Sequence, residues 1–114
     1  MRAGLAVLAS FVLVIASACS SVPPASEIPA SIASASTAAD HLRIADYFAV
    51  KARGYEAEAK FHETMPRSYI GHPRYDFAGM TAHCRELQKQ LGAAAREARA
   101  LEQAHRELAA SIKQ

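Results

Sequence analysis

The residue types with the most chemistry gather at two places, His62-x-x-Met65 and Met80-x-x-His83-Cys84, with His72 between them. Imidazole, thioether and thiol are all metal-ligand types, and residues three or four apart on a helix share a face. If the chain folds back between positions 65 and 80, then His62, Cys84, Met80 and Met65 meet at one end as a candidate metal set. Thiolate and thioether ligands suit copper as Cu(I), whereas a His–Cys pair without the methionines suits zinc. His41 and His105 would form a second pair at the far end. Packing explains the same residues more plainly, since Met fills core gaps and free Cys is among the most buried residue types.

Catalytic motifs are missing from the sequence. It has no Gly-rich phosphate loop, no G-x-S-x-G, no H-E-x-x-H and no C-x-x-C. Neither Ser68 nor Ser111 has an evident base with an orienting acid beside it. The expectation is a chain that is not an enzyme.

The elements that would position the His, Met and Cys residues are helical. Thr37-Ala-Ala-Asp40 reads as a capping box, which starts a first helix. That helix should run to about Met65 and stop at Pro66, because proline disfavours the helical region for its predecessor. Asp76 is a good N-cap for a second helix that continues to the C-terminus. The connection between them is rich in turn formers, and strand-like alternation is absent.

Apolar spacing supplies the packing pattern. In the first helix His41, Ala45, Phe48, Ala52, Tyr55, Ala59 and His62 recur at steps of four and three. In the second, Phe77, Met80, Cys84, Leu87, Leu91 and Ala94 begin a series that Ala98, Leu101, His105, Leu108 and Ile112 continue. A sustained 3-4 spacing is the geometry of coiled-coil packing. The expected fold is therefore all-α: an antiparallel two-helix hairpin, coiled-coil-like, with a second copy able to complete a four-helix bundle. A register in which facing residue numbers sum to 146 sets large residues against small ones, as dense packing requires. It pairs Phe48 with Ala98, His62 with Cys84 and His41 with His105. Leu42, Ala49, Phe61 and Met65 then flank the first seam, and Ala95 and Ala109 the second.

Charge narrows the partners. Thirteen basic and eleven acidic residues give a net charge of +2, close to zero once residues 1–18 are gone. They are interspersed along both helices as solvated faces, with none of the clustering that nucleic-acid binding needs. The remaining partners are membrane lipid, a second copy or another envelope protein.

The N-terminus shows where the chain belongs. Arg2 precedes an uncharged stretch from Ala3 to Ala18 that ends Ala16-Ser17-Ala18-Cys19. A positive start, an apolar middle and a small-residue exit form the pattern of a cleaved secretory signal. The run is about 16 residues, short of the roughly 20 needed for a membrane-spanning helix. Ala16-Ser17-Ala18-Cys19 also resembles the lipobox of bacterial lipoproteins, although Ala16 stands where that family usually has Leu. The small-residue exit is equally an A-x-A site for ordinary signal cleavage before Cys19. The resemblance implies acylation of Cys19 by chains such as palmitate, and anchoring to membrane lipid. Ser20, where inner-membrane members often carry Asp, implies the outer membrane facing the periplasm. The helical part is similar to small Ala-rich envelope lipoproteins without an assigned activity.

The expected organisation is a signal peptide over residues 1–18, lipidated Cys19 with a flexible tether through residue 36, and a helical hairpin over residues 37–114. Residues 20–36 are almost all Ser, Ala and Pro; their seventeen positions would reach at most about 60 Å. The expected function is a membrane-tethered envelope lipoprotein acting as a structural or interaction module, with periplasmic copper or zinc binding as the alternative.

Overall fold

The computed structural model describes residues 22–112. The expected signal peptide and the expected lipidation site at Cys19 lie outside the described residues. Those described are all helical apart from their connections: a short helix α1 (Ile28–Ser34), then α2 (Ala38–Thr64) and α3 (Phe77–Ser111). One 3-10 turn (Ala25–Glu27) precedes α1 and another (Met65–Tyr69) follows α2. The two long helices pack together, and α1 packs on α2. No helix among the described residues is long and apolar enough to cross a membrane.

Local chemistry explains where the long helices begin and end. Thr37 Oγ1 accepts the Asp40 N–H at 3.1 Å, and the Thr37 N–H donates to Asp40 Oδ2 at 3.0 Å, which closes the capping box. The hydrogen bond from the Thr37 side chain leads the causes holding the Asp40 carboxyl below its ordinary range. At the other end Pro66 falls in the 3-10 turn, so α-helix gives way after Thr64. Asp76 Oδ1 caps α3 by accepting the Gly79 N–H at 3.0 Å. A side chain at Gly79 would collide with the Asp76 carboxylate, so the cap depends on glycine there. In the connection Gly71 takes φ +80°, a left-handed conformation that glycine adopts without steric cost.

The segment expected to be a flexible tether is helical from Ala25 to Ser34. Pro29 sits in the first turn of α1, where a missing N–H costs no helical hydrogen bond. Ser31 and Ser34 satisfy their hydroxyls on the carbonyls of Glu27 and Ala30, both at 2.9 Å. Ile28 is buried, and the deeply buried Ile44 of α2 shares the lining of a small cavity with Pro23, Ser31 and Ser34. Burying one such isoleucine contributes roughly 1.5–3 kcal/mol, which a Ser/Ala/Pro composition alone does not reveal.

The seam between α2 and α3 is built mainly from alanine. Ala45, Ala49 and Ala52 are buried on α2, facing an α3 stripe that includes Cys84, Ala95, Ala98, His105 and Ala109. Every seventh expected α3 position, from Cys84 through Leu91, Ala98 and His105 to Ile112, is buried or half-buried. The intervening positions differ from expectation. Ala95 and Ala109 turn inward, whereas Leu101 and Leu108 are 45% and 47% exposed. Phe77 and Met80, expected at the start of the seam, are exposed as well.

The rotation, by one helix position, brings an ion-pairing flank of α3 beside α2. Arg99 and Arg106, seven residues apart on one flank of α3, reach across to α2: Arg99 pairs with Glu56 at 3.0 Å and Arg106 with Asp46 at 3.2 Å. Glu102 lies between them and pairs with both, at 2.9 and 3.1 Å. Burial acts to raise the Glu102 carboxyl, but hydrogen bonds from the two arginines outweigh it and hold the group below its ordinary value. Those half-exposed pairs lie beside the inward-turned Ala95 and Ala109, and pairs so exposed contribute little by themselves. The small alanines there allow a close helix approach that leucines would obstruct.

Candidate functional site

At the end of the molecule beside the connection, the 3-10 turn after α2 carries Met65 over α3. Cys84 is a free, buried thiol, and its Sγ lies 3.7 Å from Met65 Sδ, as donor to acceptor. The Tyr69 hydroxyl donates to the same sulfur at 3.7 Å, so the thioether accepts from both sides. The expected register set His62 against Cys84; Met65 takes that place instead, one turn further along α2, where its N–H still donates to the Phe61 carbonyl as in an α-helix. His62 is half-buried on the last full turn of α2, edge-on to the Phe61 ring at 5.7 Å, and its buried Nδ1 has no hydrogen-bond partner. Met80 is 38% exposed. Of the four sequence candidates, Met65 and Cys84 are thus brought into contact, and neither His62 nor Met80 hydrogen-bonds to either sulfur among the described residues. No group of three or more His, Cys, Asp or Glu side chains among the described residues is placed to hold a metal ion.

At the opposite end His41 of α2 and His105 of α3 meet with their Nδ1 atoms 3.0 Å apart. That is the level the register set for them. Two nitrogens at this distance share one proton, so one ring donates Nδ1–H and the other accepts through a bare Nδ1. Phe48 stacks on His105 with ring centroids 6.1 Å apart and planes 18° from parallel. Burial first, then the charge of His41, holds His105 below the usual imidazole range.

The two flanks of the helix pair differ in chemistry. One carries the chain of ion pairs from Asp46 through Arg106, Glu102 and Arg99 to Glu56. On the other a groove runs between the helices, with Tyr47, Lys51 and Tyr55 on one wall and Ala94, Glu97 and Leu101 on the other. Leu87, Ala94, Leu101 and Leu108 follow one another at seven-residue spacing along α3 on this side. Sequence reasoning placed these residues in the seam. The arginine spacing at 99 and 106, with acids at 46 and 56, is the signal that could have placed them outside it.

Fold and site together define an all-helical chain in which two long helices pack through alanines, one flank ion-paired and the other apolar. No family model, no curated protein and no solved structure matches the chain.

Proposed function

We propose that this chain is a lipid-anchored protein of the bacterial cell envelope, held in the outer membrane through Cys19 and facing the periplasm. Its helical body acts there as a non-catalytic interaction module. In this reading α2 and α3 form an antiparallel, coiled-coil-like hairpin. The observation that carries the reading is the half-exposed row through Leu101 and Leu108 beside a groove walled by tyrosines. Apolar residues repeated every seven positions on a helix face are the pattern of a surface that packs on another helix. With α1 packed on α2 and Pro23 buried, the tether shortens to about residues 20–22. Three residues reach at most about 11 Å, which would hold the helical body near the membrane surface.

The test is photo-crosslinking in intact cells from a photoreactive residue placed at Leu101, with Arg53 as the exposed control on α2. Adducts from position 101 and none from position 53 are expected. Equal labelling from both, or none from either, contradicts an interaction role for this flank.

A second reading, soft-metal binding, is favoured by the Met65–Cys84 contact. Two sulfurs 3.7 Å apart fit a cation with metal–sulfur bonds of about 2.3 Å and an S–metal–S angle of about 107°. Such a cation would displace the thiol proton, and the unpartnered Nδ1 of His62 lies one turn before Met65. Cu(I) competition against a chromogenic chelator checks it. Affinity should fall at least tenfold, about 1.4 kcal/mol, in Cys84→Ser. Equal weak binding by wild type and variant leaves only packing.

A further inference from the structure

We infer that the partner of the apolar flank is a second copy of this chain, seated groove to groove about a two-fold axis that runs along the helices. This rests on the interaction-module reading and names its partner.

Charge selects both the occupant and the axis. Lys51 and Glu97 stand on opposite walls of the groove. Neither takes part in an ion pair among the described residues, and the Lys51 ammonium instead lies 5.1 Å from the centre of the Tyr55 ring. The cross-helix pairs His41–His105 and Met65–Cys84 bracket the two positions, setting them within about one turn of each other along the groove. A two-fold axis parallel to the groove lays α2 of each copy over α3 of the other. Lys51 of one copy then faces Glu97 of the second, and the contact occurs twice. An axis across the groove at the level of these residues would instead lay α2 on α2 and set Lys51 against Lys51 and Glu97 against Glu97. Like charges face to face oppose that arrangement. The surface is therefore self-complementary in one orientation, as an isologous two-fold contact requires.

The apolar content agrees with this. Leu101 stands on the α3 wall near Tyr47 and Phe48 of α2, so the parallel axis sets Leu101 of each copy over the aromatic wall of the other. Leu87 to Leu108 spans about 32 Å of helix, and two helices side by side are about 20 Å wide, a footprint of roughly 650 Å² per copy. Stable complexes bury about 800 Å² per partner measured as accessible area, which exceeds a flat footprint over a ridged surface.

Sedimentation equilibrium of the full chain, extracted from membranes in detergent, tests the inference with Lys51→Glu, Glu97→Lys and the double variant. Wild type should sediment at twice the chain mass. Each single variant should weaken self-association at least tenfold while circular dichroism stays helical, and the double variant should recover wild-type association. Leu101→Asp, a substitution on the exposed wall, should also give single copies and serves if either charge variant loses helix. A wild type that remains a single copy at the highest soluble concentration overturns the inference, as do single variants that still pair. Crosslinking from position 101 separates the two claims. An adduct to a different protein overturns the second copy and leaves the interaction role standing, whereas no adduct overturns both.

Discussion

Removing His41 should expose how much the paired imidazoles hold the far end of the helices together. His105 is 9% exposed and has its Nδ1 3.0 Å from that of His41. In His41→Ala the remaining nitrogen is buried without its partner, a loss of about 1–3 kcal/mol. For a domain of this size that corresponds to a fall in Tm of about 4–8 °C per kcal/mol. Replacing His105 by Leu removes the polar atom and its need for a partner, so the double variant should be more stable than the two single losses sum to. The coupling should be about 1 kcal/mol in a double-mutant cycle read by thermal or urea unfolding. pH supplies an independent reading. His105 titrates below its ordinary value of 6.5, chiefly through burial and secondly through His41. The folded state therefore binds fewer protons than the unfolded chain, and this contribution is whole above about pH 6.5 and lost as pH falls through the lowered value. The second proton would place two Nδ1–H groups against each other and break the bond. Glu56 and Glu102 also titrate below their ordinary value of 4.5, so their ion-paired contribution persists down to that region and leaves pH 5–7 to the imidazoles. Stability should thus fall from pH 7.5 to 5 in wild type and fall less in the double variant. A coupling of zero, or a wild type that gains stability on acidification, refutes the reasoning.

Two further outcomes separate the parts of the account. Ala98→Asp puts a carboxylate into the alanine seam and should unfold the helical body at a cost of several kcal/mol, whereas Leu101→Asp should leave its circular dichroism helical and lower the urea midpoint only by the loss of the second copy. Equal loss in both would place Leu101 in the core and the groove wall with it. Cys19→Ser should abolish acyl labelling and shift the chain out of the membrane fraction, because the acyl chains supply about 0.8 kcal/mol per buried methylene; unchanged fractionation removes the lipid anchor.

The parts of the fold that are legible in the sequence are those fixed by local chemistry. Thr37 and Asp40 carry their own capping geometry, Asp76 and Pro66 mark a start and a stop, and the spacing of the long segments gives helices that pack together. The level of His41 with His105 also follows from spacing, since both stand on the shared seven-residue row. Side-chain size misleads at the next step. Rows stepping three-four and four-three along α3 share Cys84, Leu91, Ala98 and His105, so spacing alone does not choose between Leu101 and Glu102 as inward. Size favours leucine inside, but close packing of the helices through alanine puts Ala95 and Ala109 there instead. α1 was illegible because its stability resides in Ile28 and in packing on α2, not in a repeating pattern. At the sulfur pair the candidates were visible as residue types, but their partners were not. Met65 stands one turn beyond His62 on α2, and its thioether rather than the imidazole reaches Cys84.

The central claim is a lipid-anchored module that pairs through its apolar flank, and one mass reports on every part of it. Native mass spectrometry of the full chain, released from membranes in detergent, should give two copies of a chain that begins at Cys19 and carries acyl groups. A single copy retaining residues 1–18, with no acyl mass on Cys19, would contradict the account.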